Sequence, residues 1–249
     1  MRQIQPQTPM HKILYTILFC VLLVPGLFVL TGSSSEQPAT ASDRPADPAT
    51  TTKTYEMLYD TLQLDGMVSE EAFRQAVEGF YKIENRKREV LTLIDFSKPS
   101  TEKRLFVIDM QTHRLLFASV VSHGKNSGEN YATSFSNENG SHKSSLGFYL
   151  TGNTYQGRNG YSLILDGLEK GINDRARERA IVMHGAAYSN PSVIRSNGRL
   201  GRSFGCPAVP QALSRPIIDA IKGGSVLYIY APEPEYLVRS TILSPSSHA

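Results

Sequence analysis

The chain is poor in several things at once, and each shortage excludes a class of function. It has two cysteines, Cys20 and Cys206, in 249 residues. No second cysteine follows Cys206 to close an internal disulfide, and no Cys-x-x-Cys pair exists to hold zinc. A His-Glu-x-x-His motif is missing as well, which argues against a metalloenzyme and leaves no call for a cofactor. Basic excess is small: beyond residue 32 the chain carries 24 Lys and Arg against 23 Asp and Glu. Nucleic-acid binding usually demands a strong basic surplus, so that partner is not expected. No internal repeat marks a solenoid or propeller. No acid occurs in the first 32 residues, where Arg2, His11 and Lys12 precede eighteen uncharged residues, 13–30.

What is present at the N-terminus is a basic segment followed by an apolar run, the pattern of export. Eighteen apolar residues approach the minimum for a membrane span. Pro25 and Gly26 interrupt the run, no cysteine follows it as a lipidation site, and Ala39-Thr40-Ala41 offers small residues for cleavage some way downstream. Residues 1–32 are therefore expected to be a signal peptide or an N-terminal membrane anchor. The positive residues ahead of the span would keep the N-terminus in the cytoplasm and put the rest outside. Residues 33–54 hold Ser, Glu, Pro, Ala, Thr, Asp and Lys and no large apolar side chain, which suits a disordered linker.

Residues 55–97 carry helical periodicity. Leu58, Tyr59 and Leu62 share a face, Ser69 is placed to cap a second helix with Glu70 and Glu71 against its dipole, and Phe73, Val77, Phe80 and Tyr81 recur on one side. Arg74, Gln75 and Glu78 are expected to face outward. From Leu105 the period shortens: 105–109 and 115–121 read as a hairpin, and short β-rich runs follow at 147–151, 161–165, 180–184 and 226–230. A polar helix is expected near 173–179, with Arg175, Arg177 and Arg179 on a solvated face. Another is expected near 214–222, with Pro216 in its first turn and Gly223-Gly224 stopping it. The fold class is mainly β with a few helices (α+β), a β-sandwich or curved sheet with a helical extension at 55–95, a main domain at 96–234 and a tail at 235–249.

The chemistry centres on Cys206. An exported protein with one unpaired thiol has reason to use it. Gly205 before it permits close approach of a substrate, and Pro207 after it suits a helix start whose dipole favours a thiolate. The amides of Gly205 and Cys206 can then face an oxyanion. His184 ends the apolar run Ile181-Val182-Met183, a rigid support for a general base.

The residues His184-Gly185, followed by Ser203-Phe204-Gly205-Cys206, resemble the active-site signature of the YkuD-type L,D-transpeptidase domain, His-Gly then Ser/Thr-His-Gly-Cys. The likeness extends to the divergent branch described as murein L,D-transpeptidase catalytic domain-like, through 105–109, 122–128, 144–149, 165–171 and 198–203, and covers about 90–232. The resemblance implies a β-rich sandwich with Cys206 as nucleophile, His184 as base, the Gly205 and Cys206 amides as oxyanion hole, and Ser203 ordering the loop. It implies attack on a peptidoglycan stem peptide to give a thioester, then transfer to an amine (crosslinking) or to water (L,D-carboxypeptidase trimming), and sensitivity to carbapenems. Arg199, Arg202, Gly185 and His123 are candidate substrate-binding neighbours; Arg suits a stem carboxylate because its donors pair with both oxygens. Two departures stand out: Phe204 replaces the family's His, and 22 positions separate His184 from Cys206. The alternatives are another thiol peptidoglycan hydrolase, disfavoured because such NlpC/P60-type enzymes place the Cys before the His, and a wall-binding module without turnover.

Overall fold

The computed structural model describes residues 48–244. The expected signal or anchor at 1–32 lies outside the described residues, as does most of the linker. Among the described residues no helix is long and apolar enough to cross a membrane.

Two helices lead, α1 (Pro48–Thr61) and α2 (Glu70–Lys82). Ser69 caps α2 as its sequence suggested, accepting from the Ala72 N–H, and Glu70 and Glu71 sit in the first turn. Phe73, Val77 and Phe80 are fully buried, and each such side chain contributes about 1.5–3 kcal/mol on leaving water. Gln75 departs from expectation. It is buried, because its amide is satisfied there: it donates to Glu71 and accepts the Tyr228 hydroxyl at 2.6 Å.

The strands are β1 (Val90–Asp95), β2 (Leu105–Asp109), β3 (Arg114–Ser119), β4 (Gly147–Gly157), β5 (Gly160–Gly167), β6 (Val182–Ala186), β7 (Ala208–Pro210) and β8 (Val226–Tyr230). They form one sheet in the order β3-β2-β1-β8-β4-β5-β6-β7. Pairing is antiparallel except at β1/β8 and β6/β7, which are parallel. The two edges of this sheet approach each other. The chain just after β3 forms an antiparallel bridge from Ser122 to Ala208 in β7, and Gly124 bridges to Ser203. The sandwich is thus a single sheet curled until its ends meet.

β1 corrects the boundary drawn at residue 95. Its six residues are all buried and pair with both β2 and β8. Leu91, Leu93 and Ile94 belong to the sheet core, so the strand is part of the main domain. A run buried on both faces lacks the alternation that betrays a strand and is easily read as a continuing helix.

The expected helix at 173–179 is a series of turns. The Asn173 side chain donates to the Leu146 and Phe148 carbonyls and accepts from the Glu169 N–H. An Asn engaged this way offers the backbone an alternative to regular helix. Helix α4 (Gln211–Ile221) begins earlier than expected, so Pro216 falls inside it and not in its first turn. A short helix, α3 (Pro191–Asn197), lies between β6 and β7. The tail is partly docked: α5 (Pro234–Arg239) buries Tyr236, whose hydroxyl donates to Glu169.

Candidate active site

β6 and β7 bring the signature residues together. His184 pairs with Ala208, and two positions upstream of this pair stand Val182 and Cys206. The Val182 N–H donates to Cys206 Sγ at 3.5 Å, and the thiol donates to the Ala180 carbonyl at 3.6 Å. Cys206 is buried. Its thiol pKa is pushed up by burial, and this is opposed by the Val182 N–H, by the charge of Arg179 and by its own amide.

Pro207 leads into strand β7 and not into a helix. No helix dipole acts at Cys206, and Arg179 brings positive charge to it instead. The expectation of a solvated arginine face fails for this one residue. Arg175 does pair with Glu178, and Arg177 with Asp166, in the open. Arg179 turns inward and donates to the Ser136 and Lys143 carbonyls and to the Ser141 and Ser145 hydroxyls, at 2.6–3.2 Å. It grips the loop 136–145 and lies against Gly205: a Cβ built on that glycine would stand 2.8 Å from the Lys143 carbonyl and 3.5 Å from Arg179 Nη2. With φ at +122°, Gly205 also occupies backbone space closed to L side chains.

The imidazole of His184 is buried, and Nδ1 lies 3.1 Å from the Gly185 carbonyl. A carbonyl only accepts, so Nδ1 carries the proton and Nε2 is left with the lone pair. Burial lowers the His184 pKa, partly offset by that carbonyl. The residue is held neutral, as a base must be. The Gly185 carbonyl is the orienting group that the sequence did not disclose; any residue has one, so no side-chain pattern could reveal it. Among the described residues no hydrogen bond joins His184 to Cys206. Tyr188 completes the surroundings: its phenol pKa is raised to about 12, first by burial and then by the nearby Cys206.

The other candidates fall differently. Ser203 orders the loop, accepting from the Gly205 N–H at 3.0 Å and donating to the Cys206 carbonyl at 2.6 Å. The Gly205 amide is consequently engaged and does not serve an oxyanion hole in this state; of the two expected donors, the Cys206 amide faces its own sulfur. Gly185 is a packing residue. An added Cβ would come within 2.6 Å of Ser214 Oγ, so α4 lies against β6 only because no side chain is there. Arg199 and Arg202 both pair with the exposed Glu129, at 2.9 and 2.7 Å, and Arg202 also binds the Lys125 and Gly128 carbonyls. They share that one carboxylate and tie the loop that carries it. His123 is buried and fixed at both nitrogens, accepting from Arg104 Nη2 at 2.7 Å and facing the Gly128 carbonyl at 3.3 Å. Its pKa falls to about 3, through burial and then the Arg104 charge. It is a core residue and does not touch a substrate. The described residues contain no group of His, Cys, Asp or Glu able to hold a metal.

The sequence profile of the L,D-transpeptidase catalytic domain family matches residues 64–230. The chain belongs to that family. No curated protein matches the sequence. Solved structures with a similar course include an L,D-transpeptidase from Mycobacterium smegmatis, at 15 % identity and TM-score 0.36, covering 57 % of this chain and 59 % of that one. Another is the helical cell shape determining protein Pgp2 from Campylobacter jejuni, at 13 % identity and TM-score 0.40, covering 64 % and 55 %. A third, the L,D-transpeptidase of Stackebrandtia nassauensis, has 10 % identity and TM-score 0.36, covering 74 % and 80 %. The match thus spans about three fifths of the length of the first two chains. The family profile extends upstream of β1 through α2.

Proposed function

We propose that the protein is a peptidoglycan L,D-transpeptidase that works through a Cys206 thioester, with His184 as general base and acid. The observation that carries this reading is the pairing of a buried thiol, flanked by the Arg179 cation and a backbone N–H, with a neutral imidazole on the adjacent strand whose Nε2 is unengaged. In the reaction, His184 Nε2 takes the Cys206 proton. The sulfur attacks a stem-peptide carbonyl, and the negative charge passes from sulfur to the carbonyl oxygen. His184 then delivers its proton to the departing amine, leaving the acyl group on Cys206. An incoming amine gives a crosslink; water gives a trimmed stem. Arg179 and the Val182 N–H stabilise sulfur as an anion, a state that burial alone opposes.

Two adjustments accompany substrate entry. The His184 ring closes on the sulfur, and the Gly205 amide leaves Ser203 if it is to meet the oxyanion; apo geometry of this kind often tightens only around substrate. Export belongs to the same proposal and rests on the N-terminal residues 1–32 and on a substrate that lies outside the cytoplasm.

The test is to incubate the protein and its Cys206→Ala variant with purified tetrapeptide muropeptides and to read products by mass spectrometry. A crosslinked dimer or a trimmed stem from the parent alone is expected. Absence of either, together with no adduct on Cys206 from a carbapenem, overturns the reading in favour of a wall-binding module.

A further inference from the structure

The loop that carries Cys206 displays one residue that its neighbours do not resemble. Ser203, Gly205 and Cys206 are buried, whereas the Phe204 ring between them is 66 % exposed. It is nonetheless held in place. His142 stacks on it with centroids 4.5 Å apart and planes 28° apart, and Lys125 Nζ lies 4.7 Å from its centre.

The three residues come from three loops that are tied to one another. The Lys125 N–H donates to the Ser203 carbonyl at 2.8 Å, and the Asn126 N–H donates to the His142 carbonyl at 3.2 Å. The Asn126 side chain donates to the Ser141 carbonyl. Gly124 makes the approach possible, since a Cβ there would stand 2.5 Å from the His142 carbonyl. His142 itself sits at φ +54°, an uncommon conformation for a residue with a side chain. The surface is rigid before any ligand arrives, which lowers the entropy cost of binding.

The charges around it differ in availability. Arg199 and Arg202 share the single carboxylate of Glu129, and Lys143 donates to Ser134 Oγ. Lys125 is exposed and, among the described residues, has no carboxylate within ion-pair distance. A single ammonium over an exposed aromatic ring suits a ligand with one carboxylate beside an apolar side chain.

We propose that Phe204, His142 and Lys125 form a subsite for a carboxylate-bearing segment of the peptide on which Cys206 acts, with Lys125 taking the carboxylate and the Phe204 face taking the adjoining apolar part. This rests on the assignment of Cys206 as the nucleophile toward stem peptides. It makes Lys125 a source of carboxylate recognition that shares no carboxylate of its own chain among the described residues and gives Phe204, which stands where the family signature has His, a role in choosing substrate.

The experiment is calorimetric titration of the full chain carrying Cys206→Ala, so that nothing turns over, with a stem tetrapeptide and with the same peptide amidated at its carboxyls. Adding Lys125→Met weakens the carboxylate peptide roughly tenfold, as for one lost charged hydrogen bond, and leaves the amidated peptide unchanged. Phe204→Ala weakens both peptides about three- to tenfold, on the scale of an aromatic contact, whereas Phe204→Tyr restores them. Equal affinity of the Lys125→Met and Lys125 proteins for the carboxylate peptide overturns the subsite and leaves the transpeptidase reading intact. No binding of either peptide to the Cys206→Ala chain overturns both. All three positions are at the surface, and an unchanged unfolding midpoint confirms that each variant folds.

Discussion

Two regions of this molecule bury a histidine, and they do opposite things with it. Around His123 every polar valence is spent. Arg104 is wholly buried and donates to the Val121 and Lys98 carbonyls and to His123, and His123 reaches Gly128 with its other nitrogen. Around His184 Nδ1 is held by the Gly185 carbonyl and, among the described residues, Nε2 has no partner. Burial and a lowered pKa are common to both sites, so neither property identifies the catalytic one. What separates them is unused bonding capacity, and the proposed mechanism draws on it at His184.

The comparison is broken most directly at His184. His184→Gln is expected to cut turnover by about 10²–10⁴, the usual worth of a general base, with little change in unfolding midpoint. His123→Gln is expected to do the reverse, losing stability while activity per folded molecule is kept. Activity assays and thermal unfolding of the two variants side by side decide this; a turnover loss of similar size in both would erase the distinction.

Next in size is an acid dependence that belongs to His123. Its folded pKa of about 3 lies well below the unfolded value near 6.5. Above pH 6.5 both states hold it neutral and its contribution is complete. As pH falls through the window from about 6.5 to 3 the unfolded chain takes up the proton and the folded chain does not. Stability is then lost at roughly 1.4 kcal/mol per pH unit. Chemical denaturation across that range is expected to show the slope, and His123→Gln to flatten it. The lowered pKa of His184 acts in the same direction but also governs turnover, which should stay high at pH values where an ordinary imidazole is half protonated.

The smallest effect sharpens the other half of the comparison. Arg179→Met is expected to slow alkylation of Cys206 by iodoacetamide roughly three- to tenfold at neutral pH and to move its pH profile upward, because the thiolate loses a cation. Arg179→Lys keeps the charge and is expected to keep most of the rate, although it gives up part of the grip on residues 136–145. An unmoved profile in Arg179→Met alongside a lower unfolding midpoint would make this arginine a loop clamp only.

Much of this was legible in the sequence, and the failures share a cause. The Ser69 cap, the apolar face of α2, the hairpin at β2 and β3, and the strand at 226–230 are local patterns, and the structure has them. β1 was misread because burial on both faces erases alternation. The candidate pair His184 and Cys206 was legible through its motif; His184 lies in β6 and Cys206 two residues ahead of the neighbouring β7. Arg179 was not legible: three arginines at alternate positions look alike in sequence, and only the fold turns the third inward. The pairing of Arg199 and Arg202 with Glu129 was not legible for the complementary reason, since that carboxylate lies some seventy residues upstream and no periodicity links them.

β7 has three residues and yet pairs on both sides, with β6 along one edge and through Ala208 with Ser122 along the other. Those contacts close long stretches of chain, and such closures are late and costly steps in folding because their entropy is spent before other contacts repay it. The thiol two residues ahead of this strand therefore acquires its neighbours only when the sheet has joined end to end. A chain still folding would carry Cys206 as an ordinary exposed thiol, and burial of that sulfur reports that the whole domain is assembled.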